Sequence, residues 1–267
     1  MSVVDGVQLE NQGCALVITM NNPGRRNAFY PEMRTRMINA MREAAADNAV
    51  RAIVLTGADG HFCVGADLTR AAQLRDQSPA QKGALAAREN MKEVHRLLRV
   101  MMGGGRPVIA AVEGDAFGAG VSMAAASDRV FAAKNARFGS AFSKIGIVPD
   151  VGLLYTLPQR IGIAAARDLM YMGQPISGEQ AHKLGLVDEL TEPGQALPAA
   201  LAYAQKFADL APISIGLIKA ALATGVNNME DAMRLEIDLQ PVASSSADAQ
   251  EGMLAFREKR KPRFTGS

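Results

Sequence analysis

A chain of 267 residues with 48% hydrophobic and 21% charged side chains has ordinary globular composition, which excludes global disorder. Its length suits one large α/β domain or a core with a small appendage. A net charge of +2 is too near neutral for a nucleic-acid binder. No window reaches the roughly 18–20 apolar residues of a membrane span, and the start MSVVDGVQLENQG has neither the basic nor the apolar region of a signal peptide.

The predicted elements run as follows. Residues 14–20 (CALVITM) read as a strand, broken by Asn21-Asn22-Pro23-Gly24. Pro31 opens a helix at a favourable first-turn position, and Met33, Met37, Ile38 and Met41 follow helical spacing. Residues 52–56 form a short apolar strand closed by Gly57 and Asp59-Gly60. The polar stretch 69–83, with Ser78-Pro79 and Gly83, reads as a loop lying over something. A helix is expected from Leu85 to Met102, then a buried strand at 107–112, an Ala-rich helix at 121–127 and a strand at 129–133. From about 160 onward the pattern is mostly helical, and Ser177-x-x-Gln180 is a capping box for the helix through His182. Alternating strands and helices give the α/β class. A composition change near Pro193-Gly194 and Pro198 divides a core at 1–198 from a helical C-terminal region at 199–267.

Two stretches carry the chemistry. Gly114-Asp115-Ala116-Phe117-Gly118-Ala119-Gly120-Val121 lies after a buried strand and before a helix. Its small residues let a ligand approach the backbone, and the unpaired first amides of the helix favour negative charge. Phe62-Cys63-Val64-Gly65-Ala66-Asp67-Leu68 has the same character. If the Ala66 and Ala119 amides converge, they make a two-donor hole for an oxyanion; close packing of small residues is the alternative. Neither stretch matches GxGxxG or a P-loop. Cys14 and Cys63 make no disulfide framework, and CxxC, HExxH and GxSxG are absent, so neither a metal site nor a serine nucleophile is expected.

The order of these motifs resembles the crotonase (enoyl-CoA hydratase/isomerase) superfamily. Asn22-Pro23 through Arg26-Asn27-Ala28-Phe29 resembles its NPxxxNAL signature, and residues 62–68 its FSAGADL signature. Pro107 to Gly114, running into Gly118-Ala119-Gly120, is similar to PxIAAVNGxAxGGG, and matches continue from Ala136-Arg137-Phe138-Gly139 through Pro149 and at Phe256–Lys261. The resemblance implies a spiral of ββα units with C-terminal helices that build a homotrimer or a dimer of trimers. It implies an acyl-CoA substrate, with coenzyme A entering only as part of that substrate and no separate cofactor. It maps the oxyanion hole to Ala66 and Ala119. It maps coenzyme A binding to Arg25, Arg26, Ala28, Ala66 and Asp67, with Gly65, Leu68, Gly118 and Phe142 in the substrate site. Phe256 and Lys259 would reach coenzyme A from a neighbouring subunit; on its own, the basic run there reads as a solvated helix end.

The chain departs from the hydratases of this superfamily. Their two catalytic glutamates map to Ser122 and Phe142, neither of which is a base. Asp150 stands among apolar neighbours instead, where burial raises a carboxyl pKa. Residues 141–150 resemble epoxyphenylacetyl-CoA isomerases, in which an acid/base aspartate occupies this position; a turn-capping role for Asp150 is the alternative. In the similar 4-chlorobenzoyl-CoA dehalogenases a histidine maps near His95 and the nucleophilic aspartate to Asp150, although the partner tryptophan is replaced by Phe142. His95 alone reads as a helix-surface residue, and His61 and His182 as surface or structural. The leading expectation is a cytoplasmic acyl-CoA isomerase. A hydratase or other lyase using the same enolate chemistry, and a noncatalytic acyl-CoA-binding protein, are the alternatives.

Overall fold

Apolar runs without polar alternation belong in strands covered on both faces. The computed structural model, which describes residues 2–77 and 83–267, arranges them in that way. The strands are β1 (Val7–Gln12), β2 (Ala15–Met20), β3 (Ala52–Gly57), β4 (Val108–Val112), β5 (Asp115–Phe117), β6 (Arg129–Ala133), β7 (Arg137–Gly139), β8 (Ile176–Ser177) and β9 (Glu189–Thr191). A six-stranded sheet has the order β1-β2-β3-β4-β6-β9, antiparallel at β1/β2 and parallel elsewhere. A three-stranded sheet has the order β5-β7-β8.

Helix α1 (Pro31–Ala46) separates β2 from β3; α2 (Leu68–Gln77) and α3 (Ala84–Gly103) separate β3 from β4. Next come α4 (Ala119–Ala126), α5 (Leu153–Met172), α6 (Gly178–Leu184) and α7 (Ala196–Ala204). The chain ends in α8 (Pro212–Thr224), α9 (Met229–Ser244) and α10 (Ala247–Glu258). Alternate side chains of the large sheet point opposite ways. Leu16, Ile18, Ile53, Leu55, Val108 and Ala110 enter the main core, whereas Val17, Val54, Ile109, Ala111 and Phe131 face α7. Ala196, Ala200 and Ala204 recur every fourth residue, so α7 lays one small-residue face on the sheet. Position 198 lies within this helix.

The stretch read as a loop from 69 is helical as far as Gln77; residues 78–82 lie outside the described residues. Polar composition hid α2, but Asp67 Oδ1 accepts a hydrogen bond from the Arg70 amide at 3.0 Å, as an N-cap does. Helix α5 begins at Leu153, earlier than expected, and breaks at Gly162 where φ is 74°. The capping box at Ser177 and Gln180 forms as its spacing predicts.

The segment 62–67 is laced between two neighbours. Phe62 and Cys63 amides donate to Asp115 O, and the Phe117 amide donates back to Cys63 O. On the other side Phe29 N–H donates to Gly65 O, and Asp67 N–H to Phe29 O. Helix α4 docks on this segment so closely that a side chain at Gly120 would overlap the Cys63 carbonyl oxygen. Gly120→Ala is therefore expected to destabilise the fold by about 1–3 kcal/mol, read as a lower midpoint in chemical denaturation; an unchanged midpoint would mean that α4 is not seated as described.

Candidate active site

A cavity of about 1040 Å³ opens between α1, α2 and α3 and reaches the start of α4. Ala66, Ala119 and Asp150 all border it, as do Tyr30, Arg34, Asn90 and Val94. The strand–turn–helix at Phe117–Ala119 and the laced segment bring Ala66 and Ala119 to the same wall. Gly65 makes the approach feasible: its φ is 99°, and a Cβ there would lie 3.2 Å from Phe117 O and 3.7 Å from Ala119 N. Among the described residues, the Ala66 and Ala119 amides donate no hydrogen bond, while the Phe117 and Gly118 amides are spent on Cys63 O and Gly139 O. Ala119 is also the first residue of α4, where the helix dipole is positive.

Asp150 is held where the backbone turns sharply. Val151 has φ 48° and Gly152 φ 74°, conformations unfavourable for a β-branched residue and easy for glycine. The Asp150 main-chain carbonyl accepts from Leu153 N–H, but its side chain does not cap α5, and Oδ1 is buried with no hydrogen-bond partner. Burial raises its pKa above the usual carboxylate range; His95 on α3 and the residue's own main-chain amide act in the opposite sense. The other carboxylates lining the cavity are neutralised. Asp67 pairs with Arg25 at 3.3 Å, Glu32 with Arg70 at 2.7 Å, Glu89 with Lys92 at 2.6 Å and Glu93 with Arg96 at 2.8 Å. Among the described residues, Asp150 is the lining carboxylate left without an ion-pair partner.

The remaining expected residues fall into three groups. Arg25 and Arg26 are half-exposed and lean on buried carboxylates, Asp67 and Asp115 respectively. Asp115 also holds Arg137 at 2.6 Å and lies 3.5 Å from His61, so His61 is a partly buried neighbour of this cluster rather than a surface residue. Ala28 is buried, its carbonyl accepting from Asn22 Nδ2, and Leu68 is exposed at the start of α2. Gly118 takes φ 52° before α4, with Phe142 packed nearby. Phe256, 86% exposed, and Lys259, in a left-handed conformation closing α10, do not border the cavity of their own chain. Ser122 is fully buried and donates to Gly118 O. Burial pushes the Cys63 thiol up to about 12, so it stays protonated. His182 Nδ1 contacts Val187 O at 2.9 Å at the end of α6. The sequence reading missed Arg34 and Asn90, although Arg34 shares the helical stripe of Met37, Ile38 and Met41, where a charge is out of place.

A profile of enoyl-CoA hydratases/isomerases matches residues 10–267. The chain belongs to the enoyl-CoA hydratase/isomerase family. It is 35% identical over 252 residues to the 1,2-epoxyphenylacetyl-CoA isomerase of Escherichia coli (strain K12), covering 94% of this chain and 95% of that one. It is 32% identical to the crotonyl-CoA hydratase of Syntrophomonas wolfei, covering 97% and 98%. The crystal structure of an enoyl-CoA hydratase from Polaromonas sp. JS666 superposes with a TM-score of 0.87 at 32% identity, covering 97% of this chain and 99% of that one. The fold is thus the crotonase fold, and among the described residues of this family member Asp150 is the cavity carboxylate without an ion-pair partner.

A buried carboxylate with a raised pKa opposes folding once ionised. Its folded-state pKa exceeds the unfolded value, so its stabilising contribution is full below the unfolded pKa and is lost as pH rises through the folded pKa. At neutral pH, Asp150→Asn is expected to raise the thermal midpoint by a few degrees, and the gain should shrink on acidification. A midpoint that falls at neutral pH would contradict the placement of Asp150.

Proposed function

We propose that the protein is an acyl-CoA isomerase in which the Ala66 and Ala119 amides hold the thioester oxygen and Asp150 moves one proton. The observation that carries this reading is the meeting of the unpaired Asp150 carboxylate and the two unspent amides at one cavity. Asp150 removes a proton from a carbon of the acyl chain, and the electron pair passes into the thioester carbonyl. The resulting enolate oxygen is stabilised by two preorganised donors, each worth on the order of 3–4 kcal/mol in the transition state. Asp150 then returns the proton at another carbon, and the double bond has moved with no net change in composition. Ser122 and Phe142 supply no second carboxylate to activate water.

Asp150→Asn should keep affinity for a saturated acyl-CoA and lose turnover by orders of magnitude. The acidic limb of kcat/KM in the parent enzyme should lie above the usual carboxylate range, because the base works only when ionised and burial raises its pKa. Full turnover by the variant would remove Asp150 from the chemistry.

Hydratase action is the second reading, favoured by the names of relatives such as the crotonyl-CoA hydratase of Syntrophomonas wolfei. Incubation with crotonyl-CoA separates the two: rapid loss of the conjugated-thioester absorbance would favour hydration, and its persistence favours isomerisation. We further propose that the chain works as a homotrimer or a dimer of trimers. Exposed Ile218, Leu222, Met229, Ile237 and Phe256 on the C-terminal helices support this. Light scattering should give three or six times the chain mass, and a monomer would contradict it.

A further inference from the structure

Arg34 is a charge in an apolar place. Its buried neighbours along α1 are Met33, Met37, Ile38 and Met41, and the residue itself is only 8% exposed. Its Nη1 donates to Asn90 Oδ1 on α3 at 3.2 Å, and among the described residues it has no carboxylate within ion-pair distance. The two nearest candidates are committed elsewhere, Glu32 to Arg70 and Glu93 to Arg96. Burial depresses the Arg34 pKa, and Glu93 and Glu32 offset this only through longer-range attraction. A neutral amide oxygen uses one of the five N–H donors of a guanidinium. Arg34 is thus a largely buried cation whose compensation comes from one neutral amide and from carboxylates beyond ion-pair distance. Both Arg34 and Asn90 border the cavity that holds Ala66, Ala119 and Asp150, where α3 also presents Met91, Val94, Glu89 and Glu93.

We propose that Arg34, steadied by Asn90, recognises a carboxylate at the far end of the acyl chain, so that the enzyme takes the coenzyme A thioester of a dicarboxylic acid. The planar fork of arginine matches a carboxylate with two parallel hydrogen bonds. The assignment rests on the acyl-CoA reading of the cavity and adds the class of acyl group. Arg34 lies on the buried face of α1 and borders the cavity.

The test is calorimetric binding of four saturated thioesters, none of which can isomerise: glutaryl-CoA and adipyl-CoA, which end in carboxylates, and valeryl-CoA and hexanoyl-CoA, which end in methyls. The parent enzyme should bind at least one of the first pair about tenfold or more tightly than its methyl-ended counterpart. Arg34→Met should abolish that preference while keeping affinity for valeryl-CoA and hexanoyl-CoA, and Arg34→Lys should retain part of it. No preference in the parent enzyme overturns the proposal without any variant. A preference that survives in folded Arg34→Met overturns it too. Equal weakening of all four esters would instead place Arg34 at the coenzyme A moiety and overturn the carboxylate assignment. Failure of all four to bind the parent enzyme withdraws the acyl-CoA reading itself, together with this one.

Discussion

The arrangement depends on how the backbone of residues 62–67 is hydrogen-bonded. This short segment is clamped by Asp115 O and the Phe117 amide on one side and by Phe29 on the other, and α4 presses against it through Gly120. The clamp uses the amides of Phe62, Cys63, Val64 and Asp67 and leaves those of Gly65 and Ala66 unspent. Across a gap that only Gly65 permits, α4 begins with the unspent amide of Ala119. Buried main-chain donors are nearly always satisfied. Among the described residues, the amide of buried Ala119 and that of exposed Ala66 both go without a partner at one cavity, and the proposed chemistry uses them to hold an anionic oxygen.

Charge placement follows the same logic. Among the described residues, Asp67, Glu32, Glu89 and Glu93 around the cavity are each paired with an arginine or lysine. Among the described residues neither Asp150 nor Arg34 has an ion-pair partner, and burial disfavours the charged form of each. The positive φ at Val151 adds backbone strain beside Asp150. Natural folds tolerate such local costs where ligand binding or turnover offsets them.

Much of this was legible in the sequence because the signals were local. The buried strands at 14–20, 52–56 and 107–112 declared themselves as unbroken apolar runs, and Pro31 with the methionine stripe fixed α1. The glycine-bearing turns at Gly65 and Gly118 pointed to the cavity wall, since small residues there had to serve a close approach. The raised pKa expected for Asp150 is present, but its partial burial is not owed to its sequence neighbours Ile147 and Val148, which are exposed. What escaped the reading depended on tertiary contacts or on polar composition. Helix α2 is too polar to show an apolar stripe, and its start is fixed by Asp67, a residue read for ligand binding instead. The short strands β5, β7 and β8 pair over two or three residues, too few for periodicity to register. Arg34 meets Asn90 across 56 positions of sequence, a contact no local pattern encodes.

The most direct test of the central claim is the infrared frequency of a ¹³C-labelled thioester carbonyl on a bound, saturated acyl-CoA. Two amide donors aimed at one oxygen polarise the carbonyl, so its stretch should move to distinctly lower frequency in the complex than in water, and should do so equally in the Asp150→Asn protein. A bound carbonyl that absorbs at its aqueous frequency or above would show that the Ala66 and Ala119 amides do not meet there, and the account built on them would fall.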